Sequence, residues 1–132
     1  MKRIFACLFI FVTLFSLVGC NRISIRHEGN ATLNFCGKWI HDDTRLTQVL
    51  TEEETTNAKK YLSEAEYSPG VGGCPFDEDI SIVFGDQVFA IAYDDCPCVY
   101  LVGSDQYYTM SEEGRNYIVS LYEKYVGYFP FP

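Results

Sequence analysis

From residue 31 onward the apolar positions follow two different periods, and each stretch predicts an element. Leu33 and Phe35 alternate with polar neighbours, so residues 32–35 predict a strand, which Lys38, Trp39 and Ile40 extend past Gly37 to a turn at His41, Asp42 and Asp43. Residues 46–50 predict a second strand. The period then lengthens. Ala58, Tyr61, Leu62 and Ala65 stand at i, i+3, i+4 and i+7, which places one apolar stripe along a helix. Thr51, followed three residues later by Glu54, predicts a capping box at its start, and Glu52 and Glu53 suit the positive end of its dipole. Ser68-Pro69-Gly70 and Gly72-Gly73 predict the loop that follows.

At Asp79 the period returns to two. Ile80, Ile82 and Phe84 share one strand face, Gly85-Asp86 turns the chain, and Phe89, Ile91 and Tyr93 share the next face, with Ala90 and Ala92 opposite. Residues 99–102 and 106–110 predict a second hairpin around Gly103-Ser104-Asp105. Ser111 predicts the cap of a last helix whose stripe is Tyr117, Ile118, Leu121, Tyr122 and Tyr125. Gly127 is its expected C-cap, and Pro130 and Pro132 prevent continuation. The expected fold is therefore α+β: an antiparallel sheet of about four to six strands with two helices on one face.

The first twenty residues read differently. Lys2 and Arg3 precede an apolar run over residues 4–18, which is shorter than the roughly 20 residues that span a bilayer and which Asn21 and Arg22 end. This is the layout of a secretory signal. Leu17-Val18-Gly19-Cys20 resembles the lipobox of bacterial lipoproteins. That resemblance implies cleavage before Cys20, lipidation of the Cys20 thiol, and attachment to the extracytoplasmic face of a cell membrane, where two or more acyl chains give stable anchoring. The expected organisation is a signal peptide over residues 1–19, a lipidated tether over 20–30 in which Ile23 and Ile25 are isolated, and one domain over 31–132, a length that buries a single core.

Loss of Lys2 and Arg3 with the leader takes the formal charge from −8 to −10. A chain this acidic is not expected to bind nucleic acid by neutralising phosphates. The charge is compatible with a basic protein partner, but solubility is the favoured account of it; a protein or glycan partner would rest instead on the aromatic positions below.

Six cysteines are present. Cys7 leaves with the leader and Cys20 carries lipid, so Cys36, Cys74, Cys96 and Cys98 remain. An even number in an exported domain predicts two disulfides. Cys96-Pro97-Cys98 is the most distinctive motif, and three readings of it compete. In the leading one, each cysteine joins a structural bridge with Cys36 or Cys74. In the second, Cys96 and Cys98 are thiolate ligands for a soft metal such as Cu(I) or Zn(II). In the third they form a redox pair, which Asp94 and Asp95 oppose by raising the thiol pKa. Hairpin geometry predicts that Cys74, just before one strand, approaches Cys96, just after the next. Cys74 is therefore expected to bond Cys96 or Cys98, and Cys36 to take the other. Cys74-Pro75-Phe76, a hairpin, Asp95-Cys96 and a tyrosine-rich strand together resemble small uncharacterised extracytoplasmic domains of Gram-positive bacteria, a resemblance that implies an address and carries no activity.

Other chemistry has little support. His27 and His41 are the two histidines, and no nucleophile elbow or His-Glu-x-x-His pattern accompanies them. Asp77-Glu78-Asp79 lacks the spacing of a calcium loop. No cofactor is implied. Tyr107, Tyr108, Tyr128 and Phe129 form a candidate aromatic interface. The expected function is a non-enzymatic, membrane-anchored binding or accessory lipoprotein, with thiol-based metal handling or redox exchange at Cys96 and Cys98 as the alternative.

Overall fold

A computed structural model describes residues 22–37 and 44–129. The leader, Cys20, the 38–40 strand extension, the 41–43 turn with His41, and the two terminal prolines lie outside the described residues. Among the described residues no helix is long and apolar enough to cross a membrane.

The fold is α+β. In chain order it runs β1 (Thr32–Cys36), β2 (Arg45–Val49), α1 (Glu52–Ser63), β3 (Glu66–Tyr67), a 3-10 turn (Pro69–Val71), β4 (Ser81–Phe84), β5 (Gln87–Ile91), β6 (Cys98–Leu101), β7 (Gln106–Thr109) and α2 (Glu112–Val126). The seven strands make one antiparallel sheet in the order β2-β1-β4-β5-β6-β7-β3. That is one strand more than the upper expectation. The addition is β3, too short to leave a periodic signal.

Register sorts the side chains onto two faces. Leu33, Ile82, Phe89 and Leu101 stand opposite one another across β1, β4, β5 and β6, and Ile91, Val99 and Tyr108 form a second row. Both helices cover this face, where Ala58 and Leu62 of α1 and Ile118, Leu121 and Tyr122 of α2 join the same buried core. Tyr122 is fully buried, meets Phe35 edge to face at 6.4 Å and donates from its hydroxyl to the Asn34 carbonyl at 3.2 Å.

The helix ends follow the sequence signals. Thr51 Oγ1 accepts from the Glu54 N–H at 3.1 Å while Glu54 Oε2 accepts from the Thr51 N–H at 2.9 Å, which closes the capping box. Ser111 Oγ accepts from the Gly114 N–H, and Gly127 ends α2 in the left-handed region at φ 95°.

The opposite face carries Asn34, Ser81, Ala90, Tyr100 and Tyr107 in one cross-strand row. No helix covers it. The chain reaches the far edge at β3, beside β7, yet must return to β4, beside β1. Residues 68–79 make that crossing over the back of the sheet. Phe76 lies 5.8 Å from both the Tyr100 and Tyr107 rings, which themselves stack at 4.8 Å.

The expected tether is corrected over its described part. Ile23 and Ile25 are 6% and 8% exposed and belong to the core. The segment is tied down by Gln87, whose side chain donates to the Ser24 carbonyl and accepts from the Arg26 N–H, and by Lys59, which donates to the His27 carbonyl. Two isoleucines two residues apart on an extended chain share a face, which is enough to dock it.

Candidate functional site: three converging thiols

The crossing loop places Cys74 over β6. Cys74 Sγ stands 3.3 Å from Cys98 Sγ, and the sulfurs of Cys74, Cys96 and Cys98 all lie within 4.8 Å of one another. A sulfur–sulfur gap of 3.3 Å is hydrogen-bond reach and well beyond the roughly 2.05 Å of a disulfide.

Each thiol arrives by a different route. Cys98 is the first residue of β6, opposite Thr109 on β7, and is buried with its side chain on the loop-covered face. Cys96 belongs to the bulge between β5 and β6. That bulge is closed by the Ala92 N–H donating to the Cys98 carbonyl, and the Met110 N–H bonds the Pro97 carbonyl. Cys74 is set by its own N–H donating to the Val71 carbonyl and by the Tyr93 N–H donating to the Pro75 carbonyl, which pins the loop to the end of β5.

The bulge has its own support. Asp94 Oδ1 accepts from the Cys96 N–H at 2.9 Å, and Asp94 Oδ2 accepts from the Cys96 thiol at 3.3 Å. Arg115 reaches down from α2 and donates from Nη1 to the Ala92 carbonyl at 3.2 Å and from Nη2 to the Asp94 carbonyl. Its guanidinium carbon lies 4.9 Å above the Phe129 ring, and Phe129 stacks on Tyr122 at 4.4 Å.

All three thiols hold their protons more tightly than a free cysteine. Hydrogen bonds to Cys74 and Asp94, with burial, push Cys96 up to about 11. Burial is the main cause for Cys74 and for Cys98, whose pKa values are also raised. Such thiols are poor attacking nucleophiles at neutral pH, because the thiolate is the reactive form. The arrangement suits oxidation to a disulfide or capture of a cation that displaces the protons outright.

Sequence reasoning brought Cys74 towards the Cys96-Pro97-Cys98 motif, and the three do converge. The Cys36 assignment is corrected. Cys36 is buried and points to the same face as Cys98, but β4 and β5 separate its strand from β6, which at about 4.8 Å per strand leaves roughly 14 Å between them. The expected aromatic interface is corrected too. Tyr108 is 4% exposed, Tyr107 is stacked between neighbours, and Phe129 lies between Arg115 and Tyr122, which leaves Tyr128 as the exposed member of the four. Arg115 and Asp94 were missed as supports. Arg115 did leave a signal: it stands three residues before Ile118 and seven before Tyr122, a charge on the buried stripe of α2.

Compared with known protein families, with curated proteins and with solved structures, the chain finds no match.

Proposed function

We propose that the protein is a non-enzymatic, membrane-anchored extracytoplasmic binding module whose working centre is the thiol set Cys74, Cys96 and Cys98, and that this centre holds a thiophilic metal ion. The observation that carries the reading is the mutual approach of three sulfurs within 4.8 Å, delivered by a crossing loop, a bulge and a strand. Ions bound by thiolate at about 2.3 Å hold their sulfurs about 4 Å apart, so only small side-chain adjustments are needed. The anchor rests on the lipobox-like residues ending at Cys20.

A second reading has its own observation, the 3.3 Å gap between Cys74 and Cys98. In it, a thiol-oxidising partner takes two electrons from this pair, the two thiol protons leave to solvent and the Cys74–Cys98 bond forms; the crossing loop is then clamped to the sheet, and the protein is an accessory module that acts through another surface. Thiol titration combined with native mass spectrometry of the full chain, extracted anaerobically in detergent, separates the two. The metal reading expects one soft metal ion per chain, lost on Cys74→Ser. A Cys74 disulfide that resists mild reductant, with no metal taken up after reduction, overturns it in favour of the clamp.

A further inference from the structure

We propose that Cys74, Cys96 and Cys98 form a three-coordinate site for monovalent copper, with Arg115 as the positioning residue that holds the Cys96 arm of the site. The proposal rests on the metal-binding reading above and names its ion.

The donor set selects the ion. Soft thiolates favour Cu(I) and Zn(II), but protein zinc sites are almost always completed to four ligands. Among the described residues the His, Cys, Asp and Glu side chains grouped closely enough to hold one ion here are these three cysteines, their sulfurs within 4.8 Å of one another. The nearest carboxylate, Asp94, meets the cluster by accepting from Cys96. Cu(I) and Zn(II) both have filled d shells, but the singly charged Cu(I) is satisfied by three soft sulfurs. On binding, the three thiol protons pass to solvent and the copper–trithiolate unit carries two negative charges.

Arg115 meets both demands of such a site. Its fork bonds the carbonyls of Ala92 and Asp94, one on each side of Tyr93, so the bulge that presents Cys96 is held from the helix layer. Asp94 passes that constraint on through its two bonds to Cys96. The guanidinium also places a fixed positive charge behind the anionic unit. A lysine could supply that charge but not the two-pronged hold, because it lacks the planar fork. Phe129 closes over the other side of the guanidinium and keeps it aimed.

The test uses the reduced full chain in detergent, titrated anaerobically with Cu(I) delivered from a colorimetric Cu(I) chelator. X-ray absorption reports the sulfur count. One Cu(I) per chain with three sulfur donors is expected, and Cu(I) should protect Cys74, Cys96 and Cys98 from alkylation while leaving Cys36→Ser without effect on binding. Arg115→Met should weaken Cu(I) binding about 10- to 100-fold, the range for outer-shell partners of metal ligands. It should also reduce the sulfur count to two, matching Cys96→Ser, and Arg115→Lys should recover only part of the loss. A purely structural role for Arg115 would lower stability and leave the three-sulfur signature intact, which overturns the assignment to Arg115. Two-sulfur copper in the unaltered chain, or Zn(II) bound in preference to Cu(I), overturns the copper site but keeps metal binding. Reduced, titratable thiols that take up none of Cu(I), Zn(II) or Cd(II) overturn the underlying reading as well. If Cys96→Ser does not fold, the alkylation pattern of the unaltered chain decides the ligand set.

Discussion

Acid should weaken this fold through one carboxylate, Glu54. Its side chain is 11% exposed, and it bonds Lys124 Nζ at 2.5 Å, the Tyr125 hydroxyl at 2.8 and 3.0 Å, and the Thr51 N–H at 2.9 Å. Burial alone would push its carboxyl up. The Lys124, Thr51 and Tyr125 hydrogen bonds together outweigh burial and bring it from 4.5 down to about 2. A group depressed in the folded state binds its proton more readily when unfolded. Its contribution is therefore fully present above the unfolded value of 4.5 and is lost as pH falls from there towards 2. At 1.36 kcal/mol per unit the shift converts to about 3 kcal/mol. Lys124, however, is 58% exposed, and screening of its share brings the expectation to about 1–2 kcal/mol. The assay is urea denaturation of the unaltered chain and of Glu54→Gln at half-unit steps from pH 6 to pH 2.5. Subtracting the two curves removes the titration of other acidic groups. The difference should be largest above pH 5 and shrink by about 1–2 kcal/mol by pH 2.5. Curves that run parallel over that range would show that Glu54 is not depressed and that the Lys124–Tyr125 cluster does not hold in solution.

Other perturbations test the frame around the site. Ile25→Ala should cost at least about 2 kcal/mol, as loss of a buried isoleucine side chain does; an unchanged denaturation midpoint would restore a free tether. Gly85→Ala should cost about 1 kcal/mol or more, because Gly85 has φ 62° and an added Cβ would stand 2.9 Å from His27 Nδ1, whereas Gly73→Ala meets nothing within 4 Å and should be close to neutral in the same assay. Thr51→Ala should lower stability by about 1 kcal/mol through the orphaned Glu54 N–H, and no loss would place the start of α1 elsewhere. Cys20→Ser should shift the protein from the membrane to the soluble fraction and remove the lipid mass; unchanged fractionation would refute the anchor.

Local chemistry made the elements legible, while strand order was not. Thr51 and Glu54, Ser111 and Gly127 mark helix ends because capping is decided within four residues. Ile82 and Phe89 mark strands because alternation is decided within a strand. Nothing so local fixes that β1 lies beside β4 or that β3 lies beside β7. Those pairings depend on where α1 delivers the chain, and Glu66–Tyr67 is too short to announce itself. The cysteine pairing went wrong at the same point. The strand carrying Cys36 was expected to lie near the Cys96-Pro97-Cys98 segment, and strand order sets two strands between them.

The thiol cluster follows from what the back of the sheet is made of. Asn34, Ser81, Ala90 and Ala92 are small or polar, so beside Tyr100 and Tyr107 the middle of that face has little side-chain bulk for a helix to pack against. Ser81 and Ala90 are nonetheless fully buried. A low, close-fitting cover meets both conditions, and residues 68–79 provide it with Pro69, Gly70, Gly72, Gly73 and Pro75 and a single aromatic anchor, Phe76, on the two tyrosines. A cover of this kind must cross β6 on its way from β3 to β4. The cysteine it carries there is thereby brought to the strand that begins with Cys98. The small residues on one face of β4 and β5 thus determine which cysteine reaches the Cys96-Pro97-Cys98 bulge, and enlarging Ala90 should lift Cys74 away from Cys98 before it disturbs the helix-covered core.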